Sequence, residues 1–253
     1  MLELHPGHIH LWFVFFDEIQ DEHLLNQYRR LLTAEEQRQE SRFYRARDRL
    51  RYLVTRALVR TVLSRYATVA PEYWSFSKNA YGRPEIANHD ETAKRLSFNI
   101  SHTQSLIVLG ISDGCALGVD TENISIRQAP LEIAGRFFSQ NENAALCALP
   151  VDRQHHRFFQ YWTLKESYIK ARGMGLSIPL DQFGFDFLPD NRIAISILPA
   201  LNDLASRWRF WQFQPSADYL VAVCAERSAD IEQQLIMKKI VPLQSEEILD
   251  FKL

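Results

Sequence analysis

A chain of 253 residues, 46% hydrophobic and 24% charged, is long enough to bury one large core or two smaller ones, and its balance excludes a fibrous or disordered protein. Its 29 Lys and Arg against 31 Asp and Glu leave a net charge of -2, so no global basic field points to nucleic acid or a membrane surface. Cys115, Cys147 and Cys224 lie far apart without ligand-like spacing and read as buried hydrophobes in a reducing compartment, which favours the cytoplasm.

In chain order, His8 to Val14 has the β-branched and aromatic richness of a strand. Its apolar run, Leu11 to Phe16, is too short for a signal peptide or a membrane span. His8 and His10 share one face of that strand, but no third ligand stands near them in the sequence, and they read as a half-exposed strand face. Asp17 to Gln39 reads as helix and loop. Arg42 to Arg65 predicts a long amphipathic helix, with apolar residues at Leu50, Leu53, Val54, Ala57, Leu58 and Val62. Eight arginines flank this stripe with Asp48 the only acid among them. Most read as a solvated face; one or two could grip a polyanionic small molecule through bidentate contacts.

Tyr73 to Ser77 predicts a short strand, and Asn79 to Pro84 a turn that fixes the backbone around Arg83. Leu96 to Glu122 reads as strand, turn, strand, tight Asp113-Gly114 hairpin, strand. Ser101 and His102 are placed in the first turn, where a hydroxyl, an imidazole and free amides could meet an anion. Asp120 and Glu122, two apart on a strand, point to one face while Thr121 points to the other, a geometry that suits a hard divalent cation. Taken singly, such patterns are more often a capped turn and a solvated strand end.

Arg157 to Arg172 predicts a helix with the stripe Phe158, Tyr161, Trp162, Tyr168 and Ile169. Glu166 and Lys170 lie four apart along its edge, which by itself is a routine ion pair. Beside Asp120 and Glu122, however, they would supply a third carboxylate for a metal and a cation for a phosphate. Gly173 and Gly175 end the helix, and Phe183 to Phe187 follows as a strand.

The ordered set FNISH at Phe98 to His102, GVDTE at Gly118 to Glu122, RFFSQNE at Arg136 to Glu142 and WTLKESYIKARGMGLSIPL at Trp162 to Leu180 resembles the Sfp-type 4'-phosphopantetheinyl transferases, over roughly residues 35 to 225. The resemblance implies an α+β fold, a pseudo-twofold pair of similar α/β subdomains at 1–115 and 116–253 with coenzyme A in the cleft between them. It implies transfer of 4'-phosphopantetheine from coenzyme A to a serine of an acyl or peptidyl carrier protein, with release of adenosine 3',5'-bisphosphate. Mg2+, with Mn2+ as a substitute, would be held by Asp120, Glu122 and Glu166. Glu166 matches the position of the base and Lys170 that of the diphosphate contact. Arg51, Arg83, Ser101 and His102 match positions that hold the nucleotide end. A monomer is expected, and the charge balance and short apolar run leave nucleic acid and membrane out of its partners. The chain departs from the family where Ala34 to Gln39 offers only Arg38 in place of a basic pair, and where polar Thr121 stands between the metal carboxylates. Another Mg2+-dependent hydrolase or transferase acting on a nucleotide diphosphate would use the same residues. A nucleic-acid-binding module would explain the arginine helix alone.

Overall fold

The computed structural model describes residues 1–189, 192–228 and 231–250. Strand β1 (His8–Phe15) is followed by helices α1 (Glu22–Leu31), α2 (Ala34–Arg42) and α3 (Ala46–Leu63). A small hairpin, β2 (Phe76–Lys78) and β3 (Pro84–Ile86), leads through α4 (Glu91–Lys94) to β4 (Leu96–Thr103) and β5 (Leu106–Asp113). The same order then repeats, with no α-helical counterpart of α4 among the described residues. Strand β6 (Leu117–Asn123) is followed by α5 (Ala134–Phe137), α6 (Gln140–Cys147) and the long α7 (Val151–Arg172), then by the small hairpin β7 (Phe183–Phe187) and β8 (Ile193–Ile197), and by β9 (Trp208–Ser216) and β10 (Tyr219–Glu226). Strands β11 (Gln234–Val241) and β12 (Ser245–Leu249) close the described chain.

Apart from the two hairpins, two larger sheets result, ordered β12-β11-β1-β5-β4 and β6-β10-β9. In each repeat the first strand pairs antiparallel with the last, and the next-to-last lies beyond it. The outer edge of β1 is taken by β11 in a parallel ladder, so the C-terminal strands belong to the first sheet. The outer edge of β6 has no backbone ladder among the described residues and faces β4 instead.

Alternation along the strands explains their unbroken apolar runs. Trp12, Val14, Ile107 and Leu109 pack against α1 and α3, while Leu220, Ala222 and Cys224 pack against α7. The opposite faces, with Leu11, Phe13, Val108, Val119, Val221 and Val223, bury a third core between the sheets. The layer order is helix, sheet, sheet, helix, an α+β fold whose central strands are buried on both sides while the edge strand β12 is exposed.

Local signals account for most element ends. Thr33 and Glu36 form a reciprocal capping box at α2. The predicted helix from Arg42 begins at Ala46, because Phe43 ends α2 and Arg45 is extended before α3. Helix α7 starts at Val151, six residues before its predicted start, immediately after Pro150. The strand expected at Tyr73–Ser77 is a short 3-10 turn, Pro71–Tyr73, followed by β2. Asp113-Gly114 does not make a hairpin, since β5 and β6 lie in different sheets. Ser101 and His102 lie inside β4, not in a turn, and their backbones pair with Val108 and Ile107.

Candidate active site

Strand β4 and strand β6 meet edge to edge, and polar side chains take the place of a backbone ladder. Asn99, Ser101 and Thr103 alternate along β4 and accept the N–H groups of Val119, Thr121 and Asn123 at 2.8, 3.3 and 3.3 Å. Each strand contributes every second residue, so the seam follows the period of the pleat. The buried N–H groups of β6 are thereby satisfied without closing the gap between the sheets.

Helix α7 covers the other side of β6 at short range. Gly118 permits this: a Cβ there would fall 1.9 Å from the Ser167 carbonyl oxygen and 2.4 Å from the Ala171 nitrogen. The close approach brings Lys170 onto the strand face that carries Asp120. The Lys170 ammonium donates to Asp120 Oδ1 at 2.7 Å, to Ser101 Oγ at 2.9 Å and to the Val119 carbonyl at 3.1 Å. The Ser101 hydroxyl in turn donates to Asp120 Oδ1 at 3.0 Å. Ser101 thus joins the seam to the ion pair.

Carboxylates dominate the electrostatics. Burial first, and the Asp120 charge next, push Glu122 up to about 7, against the pull of Arg127, whose Nη2 lies 3.4 Å from Oε1, and of Lys170. Burial and then Asp120 also raise Glu166, with Lys170 opposing. Among the described residues, no three His, Cys, Asp or Glu side chains stand gathered closely enough to chelate an ion, and Asp120 Oδ1 is turned to Lys170. The donor set nevertheless suits a hard divalent cation. Asp120 Oδ2 is buried with no hydrogen-bond partner, and both glutamates feel the charge of Asp120, so oxygen ligands and excess negative charge coincide.

The structure separates the residues assigned to the nucleotide. Ser101 is buried and committed to the network, whereas His102, next along the strand, points the opposite way and has an exposed face. Packing around the ring, and after it the Arg51 charge, push His102 below the usual imidazole range. Arg51 also pairs with Asp48 at 3.1 Å. Arg83 lines a cleft of about 290 Å³ with Tyr81, Ile100, Glu166 and Lys170, but its terminal nitrogens all donate to backbone carbonyls. Several of the flanking arginines are structural: Arg56 and Arg60 both pair with Glu36, and Arg65 with Glu246.

Two features escaped the sequence reading. Lys165, adjacent to Glu166, is fully buried and pairs with Glu142 at 2.8 Å while donating to the Leu180 and Phe183 carbonyls at 2.7 Å each. The Asn99-Ser101-Thr103 seam was visible only as polar residues alternating on a strand.

Comparison with known proteins gives the family. Two family models match in succession: "4'-phosphopantetheinyl transferase, N-terminal" over residues 20–113 and "4'-phosphopantetheinyl transferase superfamily" over residues 116–224. The 4'-phosphopantetheinyl transferase Sfp of Bacillus subtilis is 35% identical over 184 residues, which is 73% of this chain and 77% of Sfp. The 4'-phosphopantetheinyl transferase HetI of a Nostoc species is 28% identical over 222 residues, 88% of this chain and 89% of HetI. The holo-[acyl-carrier-protein] synthase of Thermotoga maritima aligns with 47% of this chain and 65% of its own at 15% identity and a TM-score of 0.37. This chain belongs to the 4'-phosphopantetheinyl transferase superfamily and is a transferase of that class.

Proposed function

We propose that the protein transfers the 4'-phosphopantetheine group of coenzyme A to a serine hydroxyl of an acyl or peptidyl carrier protein, in a Mg2+-dependent reaction that releases adenosine 3',5'-bisphosphate. The observation that carries this reading is the junction of Lys170 and Asp120, flanked by Glu122 and Glu166, at the seam where β4 meets β6 under α7. Family membership gives the reaction class; the junction supplies groups for its chemistry.

In this reading Asp120, Glu122 and Glu166 hold the divalent ion, which supplies neutralisation of charge developing on the diphosphate. Mn2+ would serve in place of Mg2+. Lys170, already held by Asp120 and Ser101, offers its ammonium to a diphosphate oxygen as a point charge. Glu166, which matches the family position of the base, takes the proton of the incoming serine at a carboxylate oxygen. His102 near the end of β4 and Arg51 on α3, whose charge acts on His102, meet the nucleotide end. The two subdomains in this reading are residues 1–115 and 116–253, with β11 and β12 returning to the first sheet. The protein acts as a cytoplasmic monomer.

Incubation with coenzyme A, Mg2+ and a panel of apo-carrier proteins, followed by intact-mass measurement, tests the proposal. The expected result is a mass gain of one phosphopantetheinyl group on carrier serine, lost with chelator. Hydrolysis of coenzyme A without any carrier modification overturns it.

A further inference from the structure

Arg83 matches a family position associated with the nucleotide, yet its guanidinium is used otherwise. Nη1 donates to the carbonyls of Lys170 at 2.7 Å and Ala171 at 3.2 Å, in the last turn of α7. Nη2 donates to the carbonyls of Phe98 on β4 at 3.3 Å and Leu117 on β6 at 3.2 Å. Four terminal N–H groups thus meet four carbonyls on three elements, leaving only the Nε–H. A bidentate phosphate contact needs two free donors on one edge of the fork.

The turn that carries Arg83 is braced on the same helix end. Asn79 Nδ2 donates to the Gly173 carbonyl at 2.9 Å, and its Oδ1 accepts the N–H groups of Tyr81 at 2.9 Å and Arg83 at 3.0 Å. Gly173, at φ +66, has no Cβ where one would lie 3.3 Å from Arg83 Cδ. The last carbonyls of a helix have no partner within it. Here those of residues 171 and 173, and that of Lys170 beside the Gly173 N–H at 3.2 Å, are met by two side chains from the β2–β3 turn.

We propose that Arg83 and Asn79 form a clasp that fixes the end of α7 against the β4–β6 seam, and that they act in transfer by positioning Lys170 and Glu166, not by binding the nucleotide. The consequence for transfer rests on the transferase reading above; the clasp itself does not. Lys170 contributes both an acceptor to the clasp and the ammonium that reaches Asp120, so release of the turn displaces the cation. Glu166 lies one turn earlier on the same helix.

The test compares Arg83→Lys, Arg83→Gln and Asn79→Ala. A lysine keeps the charge but cannot present the planar fork to carbonyls on three elements. Positioning predicts that both Arg83 variants lose kcat by about a hundredfold, while the KM for coenzyme A and its salt dependence change by less than about threefold. Asn79→Ala shows the same split at smaller size. Hydrogen exchange on the metal-free, ligand-free protein should show lost protection at residues 169–175 in every variant. Rescue by Arg83→Lys, a raised KM with a smaller salt slope in Arg83→Gln, and unchanged exchange at the helix end would together overturn the clasp in favour of a phosphate contact. Should the parent fail to modify any carrier protein, the exchange measurement still decides the clasp, because it needs no turnover.

Discussion

Lys170 and Asp120 are 50 positions apart in sequence and joined at 2.7 Å, an ion pair that links the last turn of α7 to the middle of β6. It replaces the pair that sequence spacing favours, Glu166 with Lys170. The neutral isostere Asp120→Asn keeps the side-chain volume and leaves the Lys170 ammonium near an amide oxygen. Transfer should fall by about a thousandfold, the scale of a lost electrostatic contribution to the transition state. Mn2+ titration followed by electron paramagnetic resonance should show weakened binding in the same variant. Retained transfer with unaltered Mn2+ affinity would remove Asp120 from the metal site.

The approach of α7 to β6 depends on Gly118. In Gly118→Ala the new methyl meets backbone atoms of the helix, at 1.9 Å from Ser167 O and 2.4 Å from Ala171 N, so the helix itself must move. Gly110→Ala is the comparison, since its methyl meets side-chain atoms, Val119 Cγ2 at 2.8 Å and Leu117 Cδ2 at 3.0 Å. Overpacking costs of about 1–3 kcal/mol are expected, with Gly118→Ala at or above the upper end. Only Gly118→Ala should also lose transfer out of proportion to its lowered Tm. Equal stability and activity in the two variants would contradict this.

Lys165 and Glu142 are nearly inaccessible and their remaining hydrogen-bonding capacity is filled: Glu142 accepts the N–H groups of Phe185 at 3.0 Å and Ser139 at 2.8 Å. Removing one partner leaves a buried charge without its counter-ion. Lys165→Met or Glu142→Leu alone should cost about 3–5 kcal/mol in urea unfolding, and the double substitution less than the sum of the two. Strict additivity would mean that the two charges do not depend on each other.

Glu122 gives the metal-free protein a pH dependence of known sign. Its carboxyl is raised to about 7 in the folded protein by burial and by Asp120. Between the ordinary carboxylate range and pH 7 the folded state therefore binds more protons than the unfolded one, and stability falls as pH rises. The contribution is complete below the unfolded pKa and lost through about pH 7, amounting to about 3 kcal/mol. Buried His10, lowered to about 4 by burial and then Lys238, acts with the opposite sign across an overlapping window. The informative quantity is the difference between the parent and Glu122→Gln, which mimics the protonated form. That difference should move toward the variant as pH rises, and a flat difference from pH 4 to 8 would refute the assignment.

The sequence by itself determined whatever depends on neighbours along one element. A period of two put Asp120 and Glu122 on one face of β6 and Thr121 on the other, and the 3.6-residue period placed Glu166 and Lys170 on one edge of α7. The ordered motifs identified the family. Packing decided the rest. Lys170 can reach Asp120 only because Gly118 lets the helix close on the strand. Ser101 became a bridge, and parted from His102, because it lies within a strand whose edge meets β6. The Arg83 guanidinium, expected at a phosphate, found four carbonyls because a helix end and two strand edges converge on its turn. A spacing rule fixes which face a side chain takes. Which partner satisfies its charge depends on desolvated groups brought together by distant segments, and those exist only once the two sheets and α7 have packed.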